Sequence, residues 1–125
     1  MYTEANIVVS VLGNCRYFNE SEAIAMERER LREKYLELVN QKLPGLAKQR
    51  QFPVKFDHCF ARIILDNLFG CCWYEEIDRK QGAAYKQLSV EQLQKAIEIA
   101  EAIINNPDSY IQQLNKNSLR WRNKI

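Results

Sequence analysis

The chain has 125 residues, with 18 Lys and Arg against 16 Asp and Glu, for a formal net charge of +2. At that length a single domain is expected, large enough to bury roughly two thirds of its unfolded surface without a disulfide or a metal. Charged residues at 27%, with four Gly and three Pro, argue against a disordered chain and against a loop-rich sandwich. Apolar runs such as Ile63-Ile64-Leu65 are far too short to span a bilayer.

Residues 1–18 read two ways. Ile7-Val8-Val9-Ser10-Val11-Leu12 is continuous and β-branched, as in a buried strand. Thr3-Glu4 and Gly13-Asn14 also suit the start and stop of a helix. No second strand exists to pair with it, so a helix is favoured. Only Glu4, and no basic residue, precedes the run, unlike the charged start of a secretory signal. The expected location is cytoplasmic. The cysteines at 15, 59, 71 and 72 are then expected to be thiols.

Residues 20–43 predict a helix. Asn19 or Ser21 can cap it, Glu20 and Glu22 suit its positive end, and Pro44-Gly45 should stop it. Ile24, Leu31, Tyr35, Leu38 and Val39 form an apolar stripe. Glu29–Arg32 and Lys34–Glu37 can pair on the solvated side. A basic connector follows between Pro44 and Pro53.

Residues 57–69 predict a second helix, with Asp57 as N-cap and Gly70 as its stop. Cys59, Phe60, Ile63, Ile64, Leu65, Leu68 and Phe69 make it apolar around most of its circumference, so it is expected at the centre of the core. His58, Arg62 and Asp66 recur every four residues and form a polar ridge on it. Gln81-Gly82 marks a turn. Ser89-Val90-Glu91-Gln92 is a capping box opening a helix to about Asn105, with Val90, Leu93, Ile97, Ala100 and Ile104 inward. Asn106-Pro107-Asp108 ends that helix and starts another. Tyr110, Ile111, Leu114 and Trp121 should face the core, and residues 119–125 can form a basic tail.

The fold class is therefore all-α: one domain, residues 1–125, of four to six helices around a central helix at about 57–69. Its charge is unevenly spread. Residues 42–56 carry Lys42, Lys48, Arg50 and Lys55 and no acid, and residues 111–125 carry Lys116, Arg120, Arg122 and Lys124 and no acid. Together they hold +8, leaving −6 elsewhere. Two basic islands on an acidic body can bind a polyanion. Around Trp121 the cations are interleaved with an aromatic, which suits phosphate contact and base stacking. The competing reading is a solvated helix end with Trp121 as a core anchor.

The ridge also has two readings. Arg62 and Asp66 are expected to pair, because an unpaired buried charge is costly. As a pocket, His58, Cys59, Arg62 and Asp66 could hold an anionic ligand, with His58 moving a proton. A zinc site from His58, Cys59, Cys71 and Cys72 is disfavoured, because adjacent residues on a helix point about 100° apart. Cys59 near a helix N-terminus could be acidified, but Asp57 opposes the thiolate and His58 is too close to act as its base.

No nucleotide-binding or hydrolase motif is present. No cofactor, metal or membrane contact is expected. The favoured function is a non-catalytic module that binds a protein or nucleic acid through its basic surface. The alternative is a small enzyme or ligand-binding protein with its pocket at His58, Cys59, Arg62 and Asp66.

Overall fold

The computed structural model describes residues 20–124. The ambiguous 1–18 segment and Cys15 lie outside them. Every regular element among the described residues is helical, so the fold is all-α.

The charged run after residue 20 forms an α-helix at Glu20–Glu37. It passes without a break into a π turn, Leu38–Lys42, and a last α-helical segment, Leu43–Ala47. These three together are α1. Pro44-Gly45 was expected to stop this helix and does not. In the π turn the Leu43 N–H bonds back five residues to the Leu38 carbonyl. That wider turn precedes Pro44, which has no N–H to donate and lies in the first turn of the last segment, inside the continuous helix.

Leu31, Tyr35, Leu38, Val39 and Leu43 of α1 are buried, but Ile24 is 48% exposed and outside the stripe expected to hold it. Glu29 meets Arg32 at 3.4 Å. Lys34 reaches Glu101 on a later helix, at 3.3 Å, rather than Glu37.

The connector after α1 is pinned from one side. Arg50 donates to the carboxylate of Asp108 at 2.7 Å, to Ile104 O at 2.9 Å and to Asn106 O at 2.6 Å. The Gln51 N–H takes the other carboxylate oxygen of Asp108 at 3.0 Å. Phe52 then turns inward and meets Phe60 edge-on, ring centres 5.9 Å apart.

Helix α2 is Asp57–Phe69. Phe56, in extended conformation, is its N-cap; Asp57, expected in that role, is the first helical residue and accepts the His58 N–H at 2.7 Å. At the other end Gly70 adopts φ +72°, and the Asp66 carbonyl accepts both Gly70 and Cys71 N–H groups, the usual glycine-terminated helix end. Three short 3-10 turns, Trp73–Glu75, Arg79–Gln81 and Ala84–Gln87, carry the chain onward, with Ile77 buried between the first two and Leu88 buried just after the last.

Helix α3, Val90–Asn105, begins with the expected reciprocal cap: Ser89 Oγ accepts the Gln92 N–H and the Gln92 side chain accepts the Ser89 N–H. Leu93, Ile97 and Ala100 are buried, joined by Ala96 and Ile103, while Val90 and Ile104 are only half-buried. Helix α4, Asp108–Trp121, follows Pro107 directly. Residues 119–121, read from sequence as the start of a tail, form its last turn. Ile111 is fully buried; Tyr110, Leu114 and Trp121 are half-buried.

Helix α2 packs against α3, α4 and the π turn of α1, and α1 also packs along α3. Phe60, Ile63, Ile64 and Leu65 of α2 are at most 2% exposed. Among the described residues no helix is long and apolar enough to cross a membrane.

Two outcomes follow from this packing. Ile64→Ala should destabilise the fold by about 2–5 kcal/mol, the usual range for truncating a buried aliphatic side chain, as read from a denaturant titration. The second concerns Asp108. The Arg50 hydrogen bond, then the Gln51 N–H, hold its carboxyl below the usual aspartate value. A depressed folded value gives stability that is complete above the ordinary carboxylate range and is lost as pH falls through the lowered one. The stability gap between the wild type and Asp108→Asn should therefore shrink on acidification and be constant near neutrality.

Candidate functional site

Helices α2 and α4 meet along a seam that is polar, not apolar. Asp66, on the buried side of α2, is 0% exposed. Its carboxylate accepts a two-pronged contact from Arg122, Nε at 2.7 Å and Nη2 at 3.1 Å. The Ser118 hydroxyl donates to it at 2.6 Å and the Trp73 N–H at 2.9 Å. A buried carboxylate is tolerated when its charge is paired and its lone pairs are filled, and both conditions hold here.

The expected Arg62–Asp66 pair does not form. Arg62 instead donates to Ser118 Oγ at 2.7 Å and Asn115 Oδ1 at 2.9 Å. The reason is competition within one cluster. Arg122 approaches Asp66 with its planar fork across the helix interface, whereas an i, i+4 arginine placed before its aspartate is poorly oriented. Arg62 is linked to the carboxylate only through Ser118. Burial, and next the repulsion of Arg122, lower it from the ordinary guanidinium value, while the Asp66 hydrogen bond raises Arg122. Asn67 extends the seam, donating to Leu114 O at 3.0 Å and accepting from Asn117 at 3.2 Å.

The pocket expected at His58, Cys59, Arg62 and Asp66 is thus divided. Arg62 and Asp66 belong to the seam. His58 is exposed and lies at the mouth of a separate cavity of about 320 Å³ between α1, α2 and the 3-10 segment. Tyr35, Val39, Leu65, Trp73 and Tyr85 form much of its wall, with Asn40 and Asp57 among its polar lining groups. Cys59 is half-buried and not part of that wall. The aromatic lining was missed from sequence, where Tyr35 read as core and nothing connected it with Trp73 or Tyr85.

Cys59, Cys71 and Cys72 are free thiols. Burial, reinforced by Glu75 and Glu76, pushes the Cys71 thiol up, away from reactive thiolate. Among the described residues no three His, Cys, Asp or Glu side chains converge as a metal site would require.

The two basic islands also separate into two populations. Arg50 and Arg122, both candidates for polyanion contact, are turned inward onto Asp108 and Asp66. Trp121 is half-buried. Lys42, Lys48, Lys55, Lys116, Arg120 and Lys124 are exposed. The two islands are joined where the Gln112 side chain donates to Gln51 O at 3.2 Å. Lys116 and Arg120 lie four and eight residues beyond Gln112 and so continue along the same ridge of α4. On the connector, Lys48 and Lys55 flank a depression shared with Pro44, Ala47 and Phe56. Phe56 is 64% exposed, and its ring lies parallel to the His58 imidazole at 5.9 Å, with 2° between the planes.

The seam should dominate the energetics of the α2–α4 contact. Removing one partner of a buried ion pair costs about 3–5 kcal/mol, so Arg122→Gln should fall in that range. Arg62→Gln, which loses hydrogen bonds to neutral groups, should cost about 1–3 kcal/mol. A double-mutant cycle of Asp66→Asn with Arg122→Gln, followed by denaturant titration, should give strong coupling for that pair and weaker coupling for Asp66 with Arg62.

No family model, no curated protein and no solved structure matches this chain.

Proposed function

We propose that this protein is a non-catalytic binding module whose partner is single-stranded nucleic acid. The observation that carries the reading is Phe56: a large aromatic ring left mostly in solvent, stacked parallel with His58 and flanked by Lys48 and Lys55. An exposed aromatic platform beside cations is the arrangement on which unpaired bases stack while phosphates are neutralised. The Gln51–Gln112 junction supports a longer track, because Lys116 and Arg120 extend from it along α4. The anchoring of Arg50 leaves Lys48 and Lys55 as the outward cations of the connector's second half. A cytoplasmic setting fits the free thiols of Cys59, Cys71 and Cys72.

The test is a fluorescence-anisotropy titration with labelled single- and double-stranded oligonucleotides from about 50 to 200 mM salt, where phosphate contacts weaken steeply. Lys48→Gln, Lys55→Gln and Arg120→Gln should each flatten the salt slope by roughly one unit per lost contact. Phe56→Ala should weaken single-strand binding by about 1–3 kcal/mol and leave duplex binding nearly unchanged. Arg122 is excluded from this set because it holds Asp66. Absence of binding at the low-salt end, or equal loss on both strands with Phe56→Ala, would overturn the reading.

A further inference from the structure

The cavity between α1, α2 and the 3-10 segment has a feature that core packing does not account for. Tyr35 lines it and is 2% exposed. Among the described residues its hydroxyl has no hydrogen-bond partner, and burial alone pushes it well above the ordinary phenol value. That hydroxyl is not sealed in the core: the fully buried side-chain polar atom left without a partner among the described residues is Arg32 Nε, so the phenol oxygen reaches the open space of the cavity, where an acceptor must come from outside the protein. The rest of the wall is aromatic and aliphatic, from Val39, Leu65, Trp73 and Tyr85, while Asn40, Asp57 and His58 supply polar groups. At about 320 Å³ the space falls at the small end of ligand sites, which are apolar clefts with a few polar groups that fix orientation.

We infer that this cavity is a binding site for a small, neutral, planar aromatic molecule bearing a carbonyl oxygen, which accepts the Tyr35 hydroxyl while its rings lie against Trp73 and Tyr85. The carbonyl supplies the acceptor the phenol lacks. Neutrality follows from the apolar wall, where an unpaired ionised group would be costly. Planarity follows from the aromatic side chains that line the open cleft. The site borders the Phe56 platform through His58, which stacks on Phe56 and also lines the cavity, but its walls are otherwise different residues and the inference stands whether or not nucleic acid binds there.

Two probes of matched shape test it, 2-acetylnaphthalene and 2-ethylnaphthalene, titrated into the full chain and followed by the indole N–H signals in nitrogen–proton correlation spectra. The Trp73 signal is identified from a Trp73→Phe variant. The acetyl compound should shift the Trp73 signal saturably and bind more tightly than the ethyl compound. Tyr35→Phe should weaken the acetyl compound about five- to tenfold, the worth of one hydrogen bond, and leave the ethyl compound unchanged. Ala61→Leu, which fills part of the cavity from α2, should abolish both shifts while the remaining spectrum stays folded. No saturable shift with either compound, equal weakening of both by Tyr35→Phe, or unchanged binding to a folded Ala61→Leu variant would overturn the inference.

Discussion

The buried carboxylate of Asp66 is the constraint on which much of the structure depends. An ionised group with no access to solvent must have its charge balanced and its lone pairs filled, or it destabilises the fold by several kcal/mol. Three elements meet at this residue. Arg122 and Ser118 bring α4, Trp73 brings the first 3-10 turn through its backbone, and the Asp66 carbonyl closes α2 by accepting Gly70 and Cys71. One residue thus ends a helix, sets the direction in which the chain leaves it and fixes the helix that packs alongside. Because hydrogen bonds are directional, this seam specifies the α2–α4 register more sharply than an apolar contact could.

In the connector and the α2–α4 seam, arginines and lysines have separate roles. Arg50, Arg62 and Arg122 hold interfaces together, each making two or more directed hydrogen bonds between elements distant in sequence. The exposed connector cations are lysines. A planar guanidinium with five donors suits a half-buried junction, whereas a compact, strongly hydrated ammonium suits solvent. Formal charge therefore overstates the basic islands as a binding surface. Two of their eight cations are matched by buried or half-buried aspartates, and the remainder lie on the exterior.

The segment between α2 and α3 contains short turns rather than a long helix, yet it shapes the interior. Ile77 and Leu88 anchor it in the core, and Trp73 and Tyr85 become a wall of the cavity facing Tyr35. Tyr74 lies outside the cavity wall and is bracketed by Arg79 at 3.8 Å and Arg122 at 4.6 Å from its ring centre. The Trp73 and Tyr74 rings meet edge to face, centres 4.8 Å apart, with Trp73 lining the cavity and Tyr74 covering the end of the Asp66–Arg122 pair.

Local physics made part of this protein legible from its residues. The end of α2 is set by Gly70, the start of α3 by the Ser89–Gln92 box and the α3–α4 break by Pro107, because caps and stops act through bonds to near neighbours; at the start of α2 the expected Asp57 cap gave way to Phe56. The all-α class follows from the same periodicity. Tertiary structure decided what depends on residues far apart. It continued α1 through Pro44 by inserting a π turn, left Ile24 in solvent and gave Lys34 to Glu101. It also replaced Arg62 with Arg122 as the partner of Asp66 and placed Tyr35, Trp73 and Tyr85 around one space. Sequence spacing orders residues along a single helix; which arginine reaches a buried carboxylate is settled by competition among all the helices that pack around it.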